Sequence, residues 1–331
     1  MSFVEPIDPA GKRPGALALD GPGVWQGGAL QQEDWQLALP AACCAELVRV
    51  ADLLKAHPLP LTLLDPADYE LDECRQFMAQ VKHMLAFGSG LALVRDLPLQ
   101  QLDESAAKQV YWLLSCLIER PVAQSFDAQL LYDVIDTGQR IDTRVRGDVT
   151  RQELSWHTDY GFNHPPPYIG LLVLQTGRCG GVSRVASLLH AHNEMIARHP
   201  QLLERLYRPF CWNRQGEHPE GAALVHSFPI FDRADGQVRG RFIKWLLYRG
   251  YELAGEIFDE QGKLALETLF EIMSETRNHL CFELQAGQIQ YMNNYRVAHC
   301  RTEYEDFDEV QRKRHLVRIF LRDSGRRSYM G

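Results

Sequence analysis

Apolar residues recur at helical spacing in two stretches of the first third of the chain. In AACCAELVRVADLLKAH (41–57), Leu47, Val50, Ala51 and Leu54 follow the i, i+3, i+4, i+7 rule. Around 104–118, Val110, Leu113, Leu114 and Leu117 form one stripe, so both stretches predict amphipathic helices. Between them GLALVRDLPL reads as a buried strand closed by the turn at Pro98. From about 150 the pattern shortens. IGLLVL (169–174), GQIQYMNN (287–294) and HLVRIFLR (315–322) predict core strands bounded by Gly, Pro or polar turns. KLALETLFEIMSETRNH carries Leu266, Leu269, Phe270 and Met273 on one helical face, closing a partly helical insertion over 190–285. Residues 1–35, rich in Gly and Pro, predict an irregular N-terminal arm. Helices first, then strands interrupted by a helical insert, predict an α+β protein in which one domain, 1–331, is built on a β-sandwich or jelly roll.

Composition changes this picture little. Apolar residues at 45% and charged residues at 24% exclude a generally disordered chain. A net charge of −8 argues against nucleic acid or an anionic membrane as partner, since both reward clustered Lys and Arg. No apolar run approaches the length of a membrane span, and MSFVEPIDPAGKRPG has no apolar core, so the sequence predicts a cytoplasmic protein without a secretory signal. The eight cysteines show no CxxC or zinc-type spacing and predict reduced thiols; Cys300, although next to His299, reads as packing. No Gly-rich phosphate loop follows a strand, which leaves Rossmann and P-loop readings without support.

The chemistry lies in S-W-H-T-D-Y (155–160). His157 and Asp159 stand two apart, and on an extended backbone such residues project to one face, so an imidazole and a carboxylate can reach a common ion. Taken alone, HxD is equally a surface or hydrogen-bonded His. A third ligand must come from elsewhere, and His299 in NNYRVAHCR is the candidate. Two His and one carboxylate leave positions open on an octahedral ion, the arrangement suited to non-haem Fe(II). In QRKRHLVRIFLR, Arg314, Leu316, Arg318 and Phe320 share one strand face. Arginines on an apolar face are costly to bury unless they meet anions, and the guanidinium fork suits a carboxylate. The alternative is an edge strand with both guanidiniums in water.

These segments carry a resemblance. WHTD, then PPPYIGLLVL and a Gly pair, then GQIQYMNNYRVAHCR and KRHLVRIFLR, in that order, resemble the taurine dioxygenase and clavaminate synthase-like superfamily of Fe(II)/2-oxoglutarate oxygenases. GSGLALVRDLPL and RPVAQSFDAQLLYDV extend the similarity over most of the chain. The resemblance implies a distorted double-stranded β-helix (jelly roll, cupin-like) with flanking helices. It implies Fe(II) held by His157, Asp159 and His299, with 2-oxoglutarate and O2 as co-substrates. Arg314, fifteen residues past His299, matches the arginine that pairs with the distal carboxylate of 2-oxoglutarate. Ser183, in G-G-V-S where relatives carry Thr, keeps a hydroxyl for the co-substrate. Arg318 matches an arginine that meets the acidic group of the substrate, and Asn294 and Tyr160 are placed as further substrate contacts. The expected reaction is hydroxylation of a C–H bond of a small carboxylate-bearing or amino-acid-like molecule, free or tethered to a carrier protein, in secondary metabolism. The carboxylate of Asp159 argues against halogenation, which needs that position vacated. A taurine-like sulfonate or small-acid dioxygenase is the alternative within the class; outside it stand a non-catalytic cupin-like binding protein and a zinc hydrolase.

Overall fold

The computed structural model describes residues 18–138 and 149–329. The first half is β1 (Gln36–Ala38), α1 (Ala41–Ala56), α2 (Asp72–Phe87), β2 (Leu91–Arg95), α3 (Glu104–Cys116), β3 (Pro121–Val122) and β4 (Leu131–Ile135). Then follow β5 (Leu154–His157), β6 (Tyr168–Gln175), β7 (Cys179–Gly180) and β8 (Ser183–Ser187). The insertion holds α4 (Leu188–Arg198), α5 (Pro200–Leu206), β9 (Phe210–Asn213), β10 (Val225–Phe228), β11 (Phe231–Ala234), β12 (Gln237–Gly240), α6 (Lys244–Ala254) and α7 (Glu260–Ser274). The chain ends with β13 (His279–Phe282), β14 (Ile289–Asn293), β15 (Val297–Arg301), β16 (Tyr304–Glu305) and β17 (His315–Leu321).

Two sheets form the jelly-roll core. The larger runs β1-β2-β14-β6-β17-β3, with β4 also on the outer edge of β17; the smaller runs β13-β8-β15-β5. All pairings in both are antiparallel except β1 with β2. The side-chain period of two sorts each strand of the larger sheet. Ala92, Val94, Leu172, Ile289, Tyr291, Val317, Ile319 and Leu321 pack under α1–α3. Leu91, Leu93, Ile169, Met292 and Phe320 turn inward, in the same cluster as Trp156, Val185 and Ala298 of the smaller sheet. Gly170 faces the helices because nothing larger fits: a Cβ there would lie 2.5 Å from Tyr111 Oη and 2.7 Å from the Tyr291 ring.

The expected helices and strands are present, with differences at the margins. α2, buried through Cys74, Phe77, Met78, Val81 and Leu85, had no place in the sequence pattern. β13 falls within 190–285 yet belongs to the smaller sheet, so the helical insert closes at α7. Within the expected arm, residues 1–17 lie outside the described residues, and 18–35 include two short 3₁₀ turns and the buried rings of Trp25 and Trp35. Among the described residues, no helix is long and apolar enough to cross a membrane. All eight cysteines are free, and burial pushes the thiol of Cys300 up to about 12, which makes it inert packing.

Candidate metal centre

β5 ends at His157, so Asp159 sits on the turn that follows, not on the strand itself. The next residue, Tyr160, adopts a left-handed φ of 59°. Two elements hold this turn. Thr158 N donates to Phe242 O at 2.8 Å, and Thr158 Oγ1 accepts from Phe242 N at 3.1 Å. Asn294 accepts from Asp159 N at 2.8 Å and donates to Asp159 O at 2.8 Å and Pro166 O at 3.1 Å. The third residue arrives by strand pairing: His299 of β15 is the direct cross-strand neighbour of His157, beside an irregularity in the ladder.

The result is a cluster in which ligand atoms of His157, Asp159 and His299 all lie within 4.8 Å of one another. The two rings are 4.1 Å apart, and His299 Nε2 is 3.5 Å from Asp159 Oδ2. His157 Nδ1 donates to Ser155 O at 2.9 Å, which fixes the tautomer and leaves Nε2 with its lone pair. Burial, then the nearby His157 and Arg318, holds the imidazole of His299 well below its usual range, so it is neutral and able to ligate. Asp159 Oδ2 is buried and accepts no hydrogen bond. A buried carboxylate oxygen without a donor, facing two imidazoles, fits a divalent ion with open positions better than any arrangement of protein groups alone.

Two cavities meet at this cluster and share Leu154, His157, Asp159 and Arg318. The inner one is lined from both sheets, by Ser183, Gln290, His299, Arg301, Arg314 and Arg318 among apolar walls that include Leu171, Leu284 and Leu316. Arg314 is only 7% exposed, and no carboxylate pairs with its side chain among the described residues. Burial, then repulsion from Arg301, lowers its pKa to about 10. A desolvated guanidinium in a cavity shared with a metal-type cluster fits a dicarboxylate held between the ion and Arg314. Ser183 lines the same cavity and donates to Gln290 Oε1 at 3.1 Å. Gly181, at φ 69°, leaves room beside it, since a Cβ there would already sit 3.4 Å from Arg314 Nε. The outer cavity, about 330 Å³, is walled by Trp156, Tyr160, Phe162, Ile243, Trp245 and Phe320.

The structure thus brings His157, Asp159, His299, Arg314, Ser183, Arg318 and Tyr160 to one place. Two of these residues have partners that the sequence did not suggest. Asn294 lines neither cavity; its side-chain amide bonds the backbone around Asp159 and holds that residue in place. Arg318, expected to meet a substrate acid, donates instead to Asp159 Oδ1 at 3.0 Å and Gln124 Oε1 at 2.9 Å. Gln124, Gln290 and the α6 residues Trp245 and Leu246 were not singled out in the sequence. Gln124 and Gln290 lie in segments that resemble the family but at positions given no role there, and Leu246 reads as ordinary core.

Comparison with known proteins agrees with this geometry. Residues 58–320 match the family described as taurine catabolism dioxygenase TauD, TfdA family. FR-33289 synthase of Streptomyces rubellomurinus is 28% identical over 307 residues, spanning 91% of this chain and 89% of that protein. Taurine hydroxylase-like protein SAT17 of Stachybotrys chartarum is 23% identical over 304 residues, spanning 88% and 76%. Among solved structures, asparagine oxygenase with Fe(II), hydroxyasparagine and succinate superposes with a TM-score of 0.64 at 19% identity, covering 87% of this chain and 93% of that one. The non-haem iron oxygenase OrfP with Fe and α-ketoglutaric acid gives 0.64 at 16% identity, covering 87% and 94%. Those two likenesses establish the shared fold. With a family match over most of its length, the chain belongs to the TauD, TfdA family and is an Fe(II)- and 2-oxoglutarate-dependent non-haem dioxygenase.

Proposed function

We propose that the protein hydroxylates a C–H bond of a small amino-acid-like or carboxylate-bearing molecule held in the outer cavity, with Fe(II) carried by His157, Asp159 and His299 and the distal carboxylate of 2-oxoglutarate carried by Arg314 and Ser183. The observation that carries the reading is the meeting of two cavities at the cluster, one small and cationic, the other larger and aromatic. Bound there, the ion and co-substrates supply oxidative decarboxylation coupled to oxidation of a C–H bond. The chain's own residues orient and shield. The walls from Tyr160, Phe162, Trp245 and Phe320 exclude water and fix the substrate beside the ligands, where alignment of reacting atoms accounts for much of the rate. A volume near 330 Å³ suits a small molecule.

The substrate class draws support from relatives: asparagine oxygenase has been crystallised with hydroxyasparagine, and OrfP with (3S)-hydroxy-L-Arg. A sulfonate substrate, suggested by the family description, is the second reading. The test is succinate release from Fe(II)-loaded protein over a panel of free amino acids, their carrier-protein thioesters and small sulfonates, with product mass read alongside. Succinate coupled to gain of one oxygen atom on an amino-acid-type substrate is expected; coupling to taurine-like sulfonates alone would overturn the proposal.

A further inference from the structure

We infer that Gln124, Arg318 and Asp159 form a positioning chain in which Arg318 holds the metal-binding carboxylate. The inference rests on the metal centre and is independent of the substrate proposed above, so each can fail without the other.

Gln124 lies just beyond β3 and is fully buried. Its Nε2 donates to Leu130 O at 2.9 Å and to Arg318 O at 2.8 Å. Both amide protons are therefore used, which fixes the orientation of the amide and turns Oε1 toward Arg318 Nε at 2.9 Å. The guanidinium is also flanked by two rings, Tyr132 and Phe320, each 4.9 Å from Arg318 Cζ. Held this way, Arg318 presents Nη1 to Asp159 Oδ1 at 3.0 Å, between side chains 8% and 5% exposed.

The consequence concerns the two oxygens of Asp159. Oδ1 is occupied by a charge-assisted bond, whereas Oδ2 accepts none and lies 3.5 Å from His299 Nε2. One oxygen is thereby left for an ion, which Asp159 would hold through Oδ2. The backbone clamp from Asn294 sets where the carboxylate starts, and Arg318 sets how it is turned. Were Arg318 drawn out of this chain, a buried carboxylate oxygen and a buried amide oxygen would lose their donor together.

The experiment is anaerobic Fe(II) titration of the full chain without substrate, followed by 2-oxoglutarate titration read by the charge-transfer band. Gln124→Leu removes the acceptor that aims Arg318. It should weaken Fe(II) binding by about 10- to 100-fold, the usual effect of losing a residue that orients a metal ligand. The 2-oxoglutarate affinity of the metal-loaded protein should change little. Arg318→Lys keeps the charge but loses the fork and should show the same split; it reads the inference if Gln124→Leu fails to fold. Wild-type Fe(II) affinity in either folded variant would overturn the assignment, as would a weakening of 2-oxoglutarate binding as large as that of Fe(II).

Discussion

Replacing Arg314 by Met should weaken 2-oxoglutarate strongly while leaving the empty protein as stable as before, or more so. The reasoning starts from what the guanidinium lacks. It is buried, has no carboxylate partner among the described residues and sits near Arg301, so its pKa falls from the usual arginine range to about 10. A shift of that size corresponds to about 3 kcal/mol by which the fold disfavours the charge. Because the folded pKa lies below the unfolded one, this cost is fully present at neutral pH. Methionine fills similar space without the charge, so that cost disappears in the variant. With the co-substrate bound, the sign reverses. The arginine then has a carboxylate, and deleting one member of a buried charge pair costs roughly 3–5 kcal/mol. That is roughly 10²- to 4 × 10³-fold in Kd. The assay is anaerobic titration of Fe(II)-loaded protein with 2-oxoglutarate, beside thermal melting of the metal-free chain. A variant that melts lower and loses Fe(II) and 2-oxoglutarate binding in equal measure would show Arg314 to be structural and refute the argument.

Three further outcomes follow from particular contacts. Asn294→Ala strips Asp159 N, Asp159 O and Pro166 O of their buried partner, at about 1–3 kcal/mol each for groups left unsatisfied; melting with and without Fe(II) should show both lower stability and a smaller stabilisation by metal. Gly170→Ala forces a methyl against Tyr111 and Tyr291 and should cost about 1–3 kcal/mol in chemical denaturation, with the helix layer over the larger sheet disturbed and the metal centre intact. Asp133 is held down to about 2 by its hydrogen bond from His315 and by Lys108, so it contributes stability that is present above pH 3.8 and lost as pH falls toward 2. Asp133→Asn should flatten the acid limb of the stability curve in that window while leaving neutral-pH turnover unchanged.

What could be read from the sequence follows a physical division. Alternation along a strand is local, so the inward set Leu316, Arg318 and Phe320, and Arg314 just ahead of β17, was legible from spacing alone. The ligand set was legible because a ligand needs only its type and its order along the chain; the cross-strand register then delivers His299 to His157. Which anion an arginine meets is not local. Arg318 is turned by Gln124 and toward Asp159, residues 194 and 159 positions away, and nothing in a β-strand pattern encodes that choice. Asn294 illustrates the same limit from the opposite side: a polar residue near a site invites a substrate role, whereas its side-chain amide bonds the backbone of Asp159 and Pro166. The outer wall was hidden for a third reason. Ile243, Trp245 and Leu246 come from the insertion, where Ile243 bridges back to His157, and apolar residues that line a cavity look the same in sequence as those that fill a core. The chemistry is therefore written in residue types that few other roles would tolerate at those positions, and the specificity in residues that differ from core only by what the fold leaves empty beside them. Changes to Trp245 or Leu246 should accordingly move substrate preference without touching Fe(II) or 2-oxoglutarate affinity, because neither side chain reaches the inner cavity.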